Sequence, residues 1–195
     1  MSTERMNAAA AAGASLITRP GIIEGMEALG RYHAICMDSD GNVRWEDDFA
    51  NTVMTVGKNL ALDTFLAGSS YTATGPFMGL ISSVSYSAIS AADTMASHAG
   101  WLEAGSTNAP TFSARITTTG DWNAASGGSK SLFAALSFAM TSGGTLKGAF
   151  LVYGTGAVST LMSTAGTLLS AGLFSGGDRV VLNGDTVNVS YSLAL

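Results

Sequence analysis

Residues 167–193 read TLLSAGLFSGGDRVVLNGDTVNVSYSL, and this stretch decides the fold class. From Thr186 onward the chain alternates. Val187, Val189, Tyr191 and Leu193 fall on one side of an extended backbone, and Asn188, Ser190 and Ser192 on the other. That period of two is the mark of a half-buried strand. Upstream, Thr167 to Phe174 and Arg179 to Leu182 are short apolar runs. They are bounded by Ser175-Gly176-Gly177-Asp178 and by Asn183-Gly184-Asp185, residues that favour turns. The same punctuation continues towards the N-terminus. Ser126-Gly127-Gly128-Ser129 and Ser142-Gly143-Gly144 set off strand candidates at Thr111 to Thr118, Lys130 to Thr141 and Thr145 to Val152. Phe77 to Ile81 reads as a further, buried strand. Short strands at this spacing predict a mainly β domain, a β-sandwich or jelly-roll-like barrel.

Nearer the N-terminus, Tyr32 to Met37 and Val43 to Glu46 flank Asp38-Ser39-Asp40-Gly41-Asn42. The Asp-Gly pair predicts a hairpin, because glycine supplies the positive φ that the turn requires. Val43, Trp45 and Asp47 share one face of its second strand. Val56 to Leu66 is the best helix candidate, with Val56, Leu60, Asp63 and Leu66 at helical spacing. Leu62, Phe65 and Leu66 widen its apolar face, and Gly68 supplies a stop. Ser90 to Gly100 is expected to be a loop or a short helix capped by Asp93. The domain division is an N-terminal arm over residues 1–29 and a β-rich structural domain over residues 30–195. The arm is Ala-rich and broken by Pro20, and so short a segment is marginal as a helix in water. Ile22, Ile23, Met26 and Leu29 nevertheless share one helical face. These four are the candidate partner-binding residues. Their face is expected to seat in the groove of a partner, the alternative being that it packs on its own β-domain.

Composition narrows the function. Ala, Gly, Ser and Thr supply 98 of 195 residues, only 12% are charged, and 47% are hydrophobic. Disorder needs low hydrophobicity and high charge, so it is not expected for the chain as a whole. The net charge is −5 and the sequence pI about 4.8. No basic patch is visible, so nucleic acid is not an expected partner. No apolar run has the length of a membrane helix, and no membrane partner is expected. Residues 104–195 carry only seven charged side chains, while Leu132 to Met140 and Leu146 to Tyr153 are apolar. Not all of these strands were expected to be central, and this argues for self-association through an exposed apolar face. Cys36, the single cysteine, excludes an internal disulfide. The run from Ala8 to Ile17 is Ala-rich rather than Leu-rich, and Glu4 offsets Arg5. A secretory signal is therefore not expected, and synthesis in a reducing cytoplasm is.

The candidate chemistry is sparse. Asp38-Ser39-Asp40-Gly41-Asn42 resembles a calcium loop only in part. With Gly41 at the sixth position, Cys36 falls at the first and Asp47 at the twelfth, where a bidentate glutamate belongs. Glu46-Asp47-Asp48 groups three acids without an evident pocket for acid–base work, and a solvated or arginine-facing strand end is the simpler reading. They are the one feature in favour of a carbohydrate-active enzyme. Asp93, Ser97 and His98 contain the residue types of a hydrolytic triad but lack a nucleophile elbow. The Gly-rich segments match no phosphate-binding loop. Trp45, Trp101 and Trp122 have no interleaved basic residues and read as packing residues. No catalytic residue, metal ligand or cofactor site is expected.

Three blocks in order carry a resemblance: residues 41–49 (GNVRWEDDF), residues 92–101 (ADTMASHAGW), and residues 176–178 (GGD) with 183–189 (NGDTVNV). Together they resemble a family of small structural proteins of tailed bacteriophages, of the head decoration (cement) or head-fibre type. The resemblance spans roughly Arg31 to Leu195 and leaves the arm outside. It implies a virion component on the capsid surface, synthesised in the host cytoplasm. The implied partners are the major capsid protein and other copies of the chain, and capsid geometry favours a homotrimer. It carries no active site with it. A fibre, tail or host-contact component is the alternative.

Overall fold

The first turn shows how local chemistry sets the register. Asp38 Oδ1 accepts the backbone N–H groups of Asp40 and Asn42 at 3.0 and 2.9 Å. Gly41 sits at φ +84° and donates its N–H to the Asp38 carbonyl at 3.0 Å. On either side run β1 (Leu29–Met37) and β2 (Val43–Val53), paired antiparallel with Tyr32 opposite Phe49 and Cys36 opposite Trp45. The structure is a computed structural model and describes residues 28–66 and 74–195. After β2 come one helix, α1 (Thr55–Leu66), and the strands β3 (Phe77–Ser82), β4 (Leu102–Glu103), β5 (Ile116–Thr117), β6 (Ser129–Ser131), β7 (Leu136–Ala139), β8 (Gly144–Tyr153), β9 (Thr167–Leu173), β10 (Arg179–Val181) and β11 (Thr186–Ala194).

All eleven strands join one antiparallel sheet in the order β4-β3-β8-β9-β2-β1-β11-β6, with β5 beside β3, β10 beside β8 and β7 beside β11. The long strand β2 folds this sheet over. Its residues 43–50 pair with β1, and its residues 51–53 pair with β9. The molecule is therefore mainly β and sandwich-like. One layer holds β1, β11, β6, β7 and the first half of β2, and the other holds β3, β8, β9 and β10. Tyr32, Ala34, Phe49, Val187, Val189 and Tyr191 from the first layer meet Met78, Leu80, Leu146, Ala149 and Leu151 from the second in the main core. Tyr32 crosses it, its hydroxyl 2.8 Å from Ser170 Oγ.

The second layer is buried on both faces. Phe150 and Val152 of β8 point away from the main core into a second cluster with Met54, Ile81, Met95, Trp101 and Leu168. A strand covered on both sides reads as a continuous apolar run, which is why residues 146–152 do not alternate. The expectation that such strands leave apolar surface exposed is thus corrected for β8, which finds cover within the protomer.

Other expectations need correction. The strand foreseen over Thr111 to Thr118 reduces to β5. Its start is drawn elsewhere, since Thr111 Oγ1 lies 2.8 Å from Thr141 Oγ1 and donates to Ser142 Oγ at 2.9 Å. Lys130 to Thr141 splits into β6 and β7. Between them Leu132 bridges to Trp122, and the Phe133 N–H donates to the Asp121 carbonyl at 2.9 Å. Ser90 to Gly100 is a loop, and Asp93 caps no helix within it. The helix forms, yet its apolar face is not the one foreseen: Leu62 and Leu66 are 47% and 73% exposed. Gly68 and the Phe65 side chain lie outside the described residues.

Candidate functional site

Among the described residues, buried charged side chains gather at two places, and in both they hold backbone. The first is the seam where the two layers meet beside β10. Among the described residues the first half of β2 has β1 on one edge and no ladder on the other, and three of its side chains reach towards β10. Trp45 Nε1 donates to the Val180 carbonyl at 2.9 Å. Arg44 Nε donates to Asp185 Oδ1 at 2.9 Å, while Asp185 Oδ2 accepts the Leu182 N–H at 2.8 Å. Asp47 is buried and takes the hydroxyl of Ser175 at 2.6 Å, the N–H groups of Ser175 and Gly176 at 3.1 Å each, and the guanidinium of Arg179. Burial opposes its charge, but the Ser175, Arg179 and Gly176 donors outweigh burial and hold its carboxyl below the usual aspartate range. Of the two outcomes foreseen for residues 46–48, Asp47 therefore faces an arginine. Glu46 and Asp48 stay exposed and flank His33 at 3.6 and 3.2 Å.

The second place escaped the sequence reading. Arg115 is fully buried and meets Glu103 in a two-point pair, with Nε to Oε1 and Nη2 to Oε2 both at 2.7 Å. Arg115 Nη2 also donates to the Ser163 carbonyl at 2.8 Å. Glu103 Oε2 accepts the Met162 N–H at 2.7 Å. Two stretches that lack long strands, 103–115 and 158–163, are thus tied at one point, with the guanidinium 5.4 Å from the centre of the Phe150 ring. The available signal was Arg115 itself: a lone cation between Ala114 and Ile116 in a nearly uncharged region is a candidate for a buried pair.

The remaining candidates do not converge. Asp93 Oδ2 accepts the Ser90 N–H and the Trp101 Nε1–H, each at 2.9 Å. His98 Nδ1 lies 3.0 Å from the Thr94 carbonyl, and its ring packs on Trp101 with centroids 4.2 Å apart. No hydrogen bond joins Asp93, Ser97 and His98 to one another among the described residues, so the triad is not assembled. Trp101 is fully buried, whereas Trp45 and Trp122 are partly buried against the main core. Among the described residues no group of three or more His, Cys, Asp or Glu is placed to hold a metal ion. Nor is any helix among them long and apolar enough to cross a membrane. A shallow groove of about 370 Å³ runs between Tyr86–Ile89 and the β2–β9 seam, floored by Ala50, Thr52 and Gly172. No carboxylate, imidazole, thiol or cation lines it. Of the four partner-binding candidates, Ile22, Ile23 and Met26 lie outside the described residues. Leu29 is the first residue of β1, opposite Ala194 and 58% exposed. The helical face drawn for the four therefore does not extend to Leu29, and the strand begins one residue inside the arm drawn over 1–29.

No protein-family model matches the chain, and no curated protein or solved structure matches it either.

Proposed function

We propose that the chain is a non-enzymatic structural component of a bacteriophage virion, a decoration (cement) protein that binds the head lattice. Its partners in this reading are the major capsid protein and further copies of itself, as a homotrimer. One observation carries the reading: the sequence blocks that resemble such proteins all fall on residues that hold the fold. The block at 41–49 supplies the first turn and the Arg44, Trp45 and Asp47 contacts of the seam. The block at 92–101 supplies the Asp93–Trp101 bond. The third supplies the turn around Gly176 and Gly177 and the seam residue Asp185. Residues used for architecture in this way suit a protein whose work is packing.

Self-association draws on surface rather than on unburied strands. Val43, Val180 and Leu182 are 58%, 60% and 47% exposed on the segments that the seam brings together. Exposed apolar side chains on neighbouring segments are candidates for an interface.

The test is the copy number and position of the protein in intact particles, read by quantitative mass spectrometry and particle imaging. A copy number close to that of the major capsid protein, with density on the head, is expected. Tens of copies or fewer in the tail or fibres would favour the host-contact alternative. Absence from particles would overturn both. Turnover of a host polysaccharide that Asp93→Ala or His98→Ala removed without unfolding the chain would overturn the non-enzymatic reading.

A further inference from the structure

The helix α1 exposes a ridge that no contact among the described residues uses. Its inner face is fixed by contacts with β9 and the second core. Val56 packs on that core, Gly57 is buried so closely that a Cβ there would come within 3.0 Å of the Leu169 carbonyl, and Tyr153 donates its hydroxyl to the Gly57 carbonyl at 3.2 Å. Leu62 and Leu66 point away from this contact and are 47% and 73% exposed. Residues four apart on a helix stand one above the other, so with Lys58 they form a single ridge ending in two leucines.

The register of β1 shows which segment can reach it. Arg31 pairs with Ala50, and Gly30 stands against the Asn51 side chain, four residues before α1 begins. The start of β1 therefore lies at the end of β2 from which the helix starts. From Thr55 the helix rises about 10 Å to Leu62 and about 16 Å to Leu66. Going back from Leu29, Met26 lies within about 10 Å and Ile22 within about 24 Å of extended chain. The ridge is within reach of the apolar residues of the arm. The spacings match as well: Ile22 and Met26 are four apart, as Leu62 and Leu66 are, with Ile23 alongside. Glu24 and Glu27 flank the apolar group, and Lys58 stands one turn before Leu62, with Asp63 off the ridge.

We propose that residues 22–26 of the same chain cover this ridge, with Met26 on Leu62 and Ile22 and Ile23 on Leu66. Of the two ways to bury the apolar face of the arm, a partner's groove or the chain's own domain, the connection at Leu29 favours the second. This inference does not rest on the virion reading.

Hydrogen–deuterium exchange on the full chain tests it. Amides of residues 22–27 should exchange slower than in the free peptide by about tenfold or more. Leu62→Ser/Leu66→Ser should restore the free-peptide rate there. Both positions are exposed, so protection in β1 and β11 should stay unchanged and report that the fold is intact. The protection should also survive a hundredfold dilution. Free-peptide rates in the unaltered chain, or protection that the double substitution leaves in place, would overturn the proposal. Protection lost on dilution would overturn it too, by assigning the ridge to the arm of a second copy.

Discussion

Arg115→Met is the sharpest test of the physical account. The guanidinium is fully buried, its partner carboxylate is 3% exposed, and the two share two bonds of 2.7 Å. Methionine keeps the unbranched stem against Phe150, so little cavity opens. What remains is a Glu103 carboxylate out of water with the Met162 backbone N–H as its one donor among the described residues, and a Ser163 carbonyl without its donor. Breaking a buried pair by removing one member costs about 3–5 kcal/mol. Against a total stability of about 5–15 kcal/mol, that is a large fraction. For a chain of this size each kcal/mol lowers Tm by about 2–4 °C, so a fall of about 10 °C is expected. The assay is urea unfolding followed by tryptophan fluorescence, with Trp101 buried against Phe150 as a reporter. Lys147→Met is the control, because its pair with the half-exposed Asp178 should be worth less than about 1 kcal/mol. Arg115→Met/Glu103→Leu should be less damaged than the single variant, since it strands no charge. A single-variant loss below about 1 kcal/mol, with an unchanged urea slope, would refute the claim that this pair is desolvated and holds the loops.

At the seam, Asp47→Asn keeps the shape but discards the charge that Arg179 faces, and should cost about 2 kcal/mol in urea unfolding. The carboxyls of Asp47 and Asp38 are both held below the ordinary range, so their contribution is complete above about pH 4 and is lost as pH falls through the lowered folded-state values. Tm measured from pH 6 to pH 2 should therefore drop in acid, and less steeply for Asp47→Asn. Burial and the neighbouring Asp185 push the Cys36 thiol up to about 12, so a thiol reagent at pH 8 should label it only on unfolding. Gly41 stands at φ +84° with open space around it, so Gly41→Val should cost about 1–2 kcal/mol through backbone conformation alone. Asp40→Asn and added chelator should leave Tm unchanged, and a strong drop with chelator would show that a metal ion holds the hairpin.

Much of the fold was legible because local chemistry decided it. Asp38 and Gly41 announce the first turn, and the alternation from Val187 to Leu193 announces β11. The errors share one cause. Strand candidates at 111–118 and 130–141 were read from their own residues, but pairing is set by what lies alongside. Leu132 donates its N–H to the Tyr191 carbonyl, while its neighbour Phe133 turns to Asp121, and no local pattern records that change of partner. The face of α1 misled for a similar reason, since Gly57, without a side chain, packs tightly against Leu169 of β9 while Leu62 and Leu66 turn outward. At the candidate sites, an arginine partner for residues 46–48 was foreseen, but Arg179 lies 132 positions from Asp47 and was not identifiable. Arg115 and Glu103 are only 12 apart, yet the loop between them carries no period that would bring them together.

The scarcity of charge in the C-terminal half takes on a different meaning once its pairs are placed. Of the seven charged side chains in residues 104–195, Arg115, Lys147, Asp178, Arg179 and Asp185 are each paired with an opposite charge within the protomer. Asp121 and Lys130 are left to face solvent without such a pair among the described residues. Serine, threonine, asparagine and small apolar residues supply most of the remaining surface. Such a surface exerts little long-range field, because steering needs unpaired charge of one sign. Association through it has to depend on close fit and on apolar contact at positions such as Val43, Val180 and Leu182, which salt screens weakly. A partner met through this half is gathered by no strong field from it, so the fit of the two surfaces has to set the affinity. A lattice of identical subunits would offer such a fit at every repeat, and this is the kind of surface the proposed decoration role calls for.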